Sequence, residues 1–252
     1  MAYTLRYSRR ARGVRVVVHP ERGVVVTIPV TRTAWSQGEH HATAFLTERE
    51  AWIRRHQARQ DAQIARGATR GGARDGGEIP FRGDWLRIRV VPAVSGIRRS
   101  HVVVFPDEAI LVLHRASRDR RATPAVVEAW LRDEARMAID AAIDRHACPL
   151  GVAPTGVTLR DPRTRWGSAA RTGRLSFSWR LILAPPEALD TVVVHELAHL
   201  RVFGHGAAFW DLVASRRPDH RVWRRWLHDH ALELHMALEP RTVGSSEVEA
   251  AS

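Results

Sequence analysis

The chain has 252 residues, 44% apolar and 26% charged, which is enough to bury a real core in one large domain or two small ones and excludes wholesale disorder. No run of about 18 apolar residues exists, which excludes a membrane-spanning helix, and the single cysteine, Cys148, excludes an intramolecular disulfide framework or a Cys-rich zinc knuckle. The net charge of +12 is carried by arginine alone, since lysine is absent; coding bias accounts for the choice of arginine, while the excess of base over acid points to a polyanionic partner such as nucleic acid.

The first residues carry basic groups with no apolar stretch behind them, so they do not read as a secretory leader; with one cysteine, the expected setting is cytoplasmic. Val14–Val18 and Val24–Ile28 are β-branched runs joined by a Gly-containing loop, which predicts a hairpin. A helical pattern runs from about Ala42 to Arg66, with Phe45, Leu46, Trp52, Ile53 and Ile64 among charged residues. Gly67–Gly77 reads as a flexible linker or a long loop. Short strands are predicted over Ile79–Phe81, Trp85–Val91, His101–Phe105 and Ala109–Leu113, with a turn at Asp107-Glu108.

The second half changes texture. Thr123-Pro124 starts a helix to about His146, with Val127, Trp130, Leu131, Met137 and Ile143 on its apolar face. Strands are predicted near Val157–Arg160 and Arg174–Trp179. Pro185-Pro186 breaks the chain, Asp190 caps the next helix and Gly204 ends it. Ala207–Ser215 and Asp219–Leu238 are helical, with Pro218 between them, and Thr242–Ser252 reads as a disordered tail. The whole is an α+β chain: an N-terminal β-rich region over 1–118 with one long helix and the linker 67–77, a second half over 119–238, and a tail over 239–252.

The chemistry centres on His195-Glu196-Leu197-Ala198-His199, placed on a helix after Val192-Val193-Val194. Positions i and i+4 share a helix face, so both imidazoles can aim at one metal ion. Glu196 is rotated by about 100 degrees, beside the metal rather than on it. A zinc there would acidify water, and Glu196 would take its proton as general base for peptide hydrolysis. A third protein ligand is the rule. The candidates are His205, Asp211, His220, His228 and Glu233. On an unbroken helix His205 would lie about 15 Å from His195, so the chain must turn first, and Gly204 permits that. The spacing equals that of the metzincin signature HExxHxxGxxH, but Val202 stands where that signature has glycine.

Several motifs combine in order: Arg165-Trp166-Gly167-Ser168, then Gly173 to Leu181, Pro185, Val194 to Leu200, Gly204-His205 and Phe209-Trp210. Together they resemble the YgjP-like metallopeptidases, relatives of the SprT-like and WLM zinc peptidases. The resemblance implies a zincin-like catalytic half, with the HExxH helix packed under a small antiparallel sheet, and His205 as third ligand beside His195 and His199. It also implies a strand above that helix, placed at Arg174–Trp179, where an extended substrate can pair with a sheet edge. Three positions depart from the family pattern: Ala169 for Cys, Gly204 for Asn and Gly206 for Ser.

The remaining residues have plainer readings. Phe209 and Trp210 read as core packing behind His205, and Trp166 as a structural anchor. Cys148 has no motif around it. Arg165 serves equally as an oxyanion partner or in an ion pair. Trp223 and Trp226 read as buried rings flanking solvated Arg224 and Arg225. Asp140, Asp144 and Asp190 are the carboxylates available to orient a ligand imidazole. The leading reading is a zinc metallopeptidase acting on a protein or peptide. The second is a nucleic-acid-binding protein with a structural or degenerate zinc site, or a protease recruited to DNA.

Overall fold

Val24, Val26 and Ile28 are at most 2% exposed and alternate with half-buried neighbours, the signature of a strand with one face on a core. The computed structural model describes residues 2–19, 22–30, 42–92 and 96–239. Its first sheet holds β1 (Tyr3–Ser8), β2 (Arg15–His19) and β3 (Gly23–Pro29) in the order β1-β3-β2. β2 and β3 form the predicted hairpin, with Gly23 at φ 63 where the chain re-enters the sheet. β1 was not expected: it pairs parallel to β3, Tyr3 facing Val24, a long-range register that local patterning does not announce. Residues 42–48 are helical, and after a turn at Arg49 helix α1 (Glu50–Arg70) follows. Ile53 packs with Val18, Val24, Val26 and Ile28 in a core of their own.

The chain divides into two compact units, Met1–Ala65 and Arg66–Ser252. The sequence reading places its boundary at 118/119, and the packing explains the difference. The second sheet consists of β4 (Glu78–Phe81), β5 (Asp84–Val91), β6 (His101–Phe105) and β7 (Ile110–His114), ordered β4-β5-β7-β6. Its Ile79, Leu86, Ile88, Leu111 and Leu113 share one core with the HExxH helix. The β4–β5 turn has Arg82 and Gly83 both at positive φ, as a two-residue primed turn requires, and their N–H groups donate to the Ile182 and Leu183 carbonyls. Nor is 67–77 a free linker. Helix α1 runs to Arg70, the Ala73 N–H donates to Leu238 O, the Gly76 N–H to Ile88 O, and Val90 N–H to the Asp75 carboxylate. The glycines of this segment supply tight turns rather than slack, with Gly71 and Gly72 at positive φ.

Helix α2 (Thr123–Leu150) starts with Pro124 in its first turn and runs past His146 to Gly151, whose φ of 65 closes it. Its buried face carries Val126, Val127, Leu131, Ala135, Ile139 and Ile143, whereas Met137 is 57% exposed: the residues at the correct helical spacing around it are small or apolar, and Met137 falls on the far side. Next comes a sheet of β8 (Gly156–Arg160), β9 (Gly167–Ala169) and β10 (Arg174–Ser178), ordered β8-β10-β9. It is mixed rather than antiparallel. β10 runs parallel to β8 and antiparallel to β9, because the intervening chain crosses over before turning back through Gly173. Trp179 leaves the strand and opens a 3-10 turn over Trp179–Leu183.

Helix α3 (Pro186–His199) carries the HExxH motif. Its first helical residue is Pro186, and Asp190 lies inside it as a buried side chain rather than capping it. Ala188 to Val194 and Glu196 to Ala198 are all buried, as in a helix surrounded by core. Helices α4 (Ala207–Arg216) and α5 (His220–Met236) complete the order, separated by Pro218 as predicted. The tail expected over 239–252 lies outside the described residues from 240 onward. No described helix is long and apolar enough to cross a membrane.

Candidate metal centre

Local helical geometry sets the first pair. His195 and His199 lie one turn apart on α3, and their Nε2 atoms are 3.2 Å apart. The helix ends at His199; the chain bends through Leu200 to Gly206, with Gly204 at φ 93 in the return. Nothing crowds that glycine, so the backbone angle alone demands it. The bend brings back His205, whose Nε2 lies 3.2 Å from that of His195. Among the described residues, these three histidines form a group able to hold a metal ion, with all donor atoms within 4.8 Å of one another. Asp211, His220, His228 and Glu233 are not in it.

Phe209 is fully buried and packs against all three imidazoles, with ring centroids 4.9, 4.4 and 4.9 Å from His195, His199 and His205. It is the core packing expected of it. Trp210 stacks on the buried His220 at 5.2 Å and also meets the His205 ring at 5.6 Å. The His199 Nδ1–H donates to the Val202 carbonyl at 3.4 Å, leaving Nε2 to face the group. None of the three aspartates serves that purpose. Asp140 meets Arg136. Asp190 accepts from Arg145, His146 and Arg217, away from the ligand rings.

Burial holds His195 neutral, its pKa pushed down to about 3, with His199, His205 and Arg224 adding in the same direction. Burial lowers that of His199 too. Neutral imidazoles present the lone pair that a metal needs. Glu196 is 6% exposed, and burial pushes its pKa up to about 7 against the pull of Arg165. That is the range in which a carboxyl exchanges a proton near neutral pH.

The triad opens onto a cleft of about 470 Å³. One side comes from the segment before β9, with Arg163, Arg165 and Trp166; the other comes from α5, with Arg224, Leu227, His228 and His235. Two features of this site escape sequence reasoning. Gly167 lies against Glu196 so closely that a Cβ there would stand 2.7 Å from its Cγ and Oε1. The Trp-Gly-Ser motif flagged the glycine but not its contact. His235 stacks on Trp166 at 5.4 Å, and the only signal for it is a long amphipathic helix far along the chain. Trp166 is thus both an anchor and part of the cleft wall.

The family model described as YgjP-like, metallopeptidase domain, matches residues 12–230. Among solved structures, the metallopeptidase zymogen of Pyrococcus abyssi abylysin is 20% identical over 37% of this chain and 92% of its own, with a TM-score of 0.32. No curated protein matches the chain.

Proposed function

We propose that this chain, which belongs to the YgjP-like metallopeptidase family, hydrolyses peptide bonds with a zinc ion held by His195, His199 and His205 and with Glu196 as the general base. The observation that carries this reading is the convergence of three Nε2 atoms, two pairs at 3.2 Å, beside a buried glutamate that is not one of them. Tetrahedral zinc with Zn–N bonds of about 2.0–2.1 Å separates its ligand nitrogens by about 3.3 Å, so the donor set fits that ion, and three protein ligands leave one position open. Zinc, when bound, supplies a Lewis acid that polarises the scissile carbonyl and acidifies water.

The chain's own groups do the rest. The Glu196 carboxylate accepts a proton from the attacking water and returns it to the nitrogen of the leaving amine. The apolar surroundings that raise its pKa make both transfers accessible near neutral pH. β9, like β8, is an edge strand of its sheet, and Gly167 on it backs Glu196. An extended substrate paired along β9 would therefore run past the base; β10, to which sequence reasoning assigned this duty, is the central strand and has no free edge. We read α3 beneath this sheet as the zincin arrangement.

The test is Glu196→Gln, assayed on an unfolded protein that the wild type cleaves. Gln keeps size and a hydrogen-bonding oxygen but cannot accept the proton. Zinc content and melting temperature should stay put while hydrolysis falls by at least about 10²-fold. Equal rates for the two proteins would overturn the mechanism. In parallel, His205→Ala should lose most of the zinc and Glu233→Ala none, since Glu233 is outside the group; the opposite pattern would move the third ligand.

A further inference from the structure

Many of the described arginines have an acid to face. Arg54 meets Glu50, Arg132 meets Glu128, Arg136 meets Asp140, Arg180 meets Asp161 and Arg217 meets Asp190. Around the cleft the pattern changes. Arg165 and Arg224 both line it, both are exposed, and neither forms an ion pair with a described carboxylate. Arg224 lies over the ring of Trp210, 4.2 Å from its centroid, which holds its charge at the rim. His228 and His235 line the cleft along α5, and among the described lining residues Glu196 is the only acid. The three imidazoles of the triad bring no negative charge.

Cationic groups lining a concave wall focus their field into the cleft. A neutral peptide gives the Arg165 and Arg224 guanidinium groups no ion-pair partner, a basic one is repelled, and an acidic one offers carboxylates that they bind through paired hydrogen bonds. The edge strand β9 meets the same cleft at Gly167. Its alternating N–H and C=O groups match an extended peptide and have no counterpart on a sugar-phosphate chain.

From this lining we infer that the cleft selects acidic polypeptide, with Arg165 and Arg224 receiving Asp or Glu side chains that flank the scissile bond; the inference rests on the peptidase reading above. It accounts for a basic cleft in a peptidase without requiring the whole +12 surface to act.

Binding tests this separately from hydrolysis. The zinc-loaded, full-length Glu196→Gln protein is titrated into a labelled unstructured peptide with Glu on both sides of an Ala-Leu pair, and into its Gln counterpart, with fluorescence polarisation as the readout. The Glu peptide should bind at least about tenfold tighter at low salt, the scale of one or two hydrogen bonds to charged groups. The advantage should shrink as salt screens the exposed charges. Arg165→Glu and Arg224→Glu should each remove most of the advantage while leaving the Gln peptide unaffected, which also shows that the variants are folded. Reversing the exposed, distant Arg98 and Arg99 should change nothing. Equal affinity for the two peptides, or an equal loss from the Arg98/Arg99 control, would overturn the inference. So would a single-stranded oligonucleotide of matched charge that displaces the peptide through Arg165 and Arg224, which would make the cleft a nucleic-acid site. Cleavage of casein by the wild type is scored alongside: an acidic preference in binding with no cleavage would sink the peptidase reading and leave the charge selection standing.

Discussion

Gly167 and Glu196 meet with no side chain between them, and the contact leaves no room for one, since a Cβ on Gly167 would lie 2.7 Å from Glu196 Cγ and Oε1. Glu196 is buried, so its carboxylate has little space into which to retreat. Gly167→Ala should therefore displace the carboxylate while leaving the histidines untouched. A misplacement of about 1 Å at a reacting group can cost about 10²-fold in rate. We expect full zinc content and native unfolding behaviour with kcat/KM reduced on that scale. Wild-type kcat/KM in Gly167→Ala would show that the proposed base adapts and that the glycine serves only the strand.

Within α3, five residues ahead of the first histidine, Asp190 fastens three elements together. It accepts from Arg145 at 2.7 Å and His146 at 2.9 Å, both on α2, and from Arg217 at 3.1 Å, just past α4. His146 is 3% and Asp190 6% exposed, so these bonds are shielded, while Arg145 stands mostly in water and adds little. Removing the carboxylate strands a buried imidazole and a largely buried guanidinium. Breaking such a buried charged cluster costs about 3 kcal/mol or more. Asp190→Ala should lower the urea midpoint at unchanged slope. Asp190→Asn keeps size but not charge and should recover only part of the loss. A midpoint equal to wild type for Asp190→Ala would mean the cluster contributes nothing net.

For the whole molecule, every residue that lines the cleft or belongs to the triad lies between 163 and 235, inside the unit Arg66–Ser252. That unit carries its own core, running from Ala73 to Leu238. A chain beginning at residue 66 should therefore unfold cooperatively and bind one zinc, as measured by metal analysis after gel filtration. A chain beginning at 119, the boundary drawn from sequence, would lose β4 to β7 and expose Ile79, Leu86, Ile88, Leu111 and Leu113, and should aggregate. If the two truncations behaved alike, the shared core would not be what holds the later unit together.

The sequence by itself determined what depends on near neighbours along the chain. The i, i+4 histidines follow from the helical period, the β2–β3 hairpin from two β-branched runs joined by a glycine-containing loop, and the break before α5 from Pro218. Motif order was enough to indicate the family. Tertiary structure decided everything that depends on which distant segments meet. β1 pairs across about twenty residues and β9 is only three residues long, so neither carries a readable period. Five residues were open as a third donor on local grounds, and the bend through Gly204 stands one of them beside the pair. Asp190 sits where a cap was expected because α3 begins four residues earlier, at Pro186, and its carboxylate was claimed by α2 instead. The glycine-rich stretch over 67–77 looked slack because glycine permits many conformations; hydrogen bonds to β5 and to Leu238 select one of them. The cleft lining from α5 is the clearest case, since a helix's own pattern tells which face is apolar but not what that face, or its charged rim, is set against.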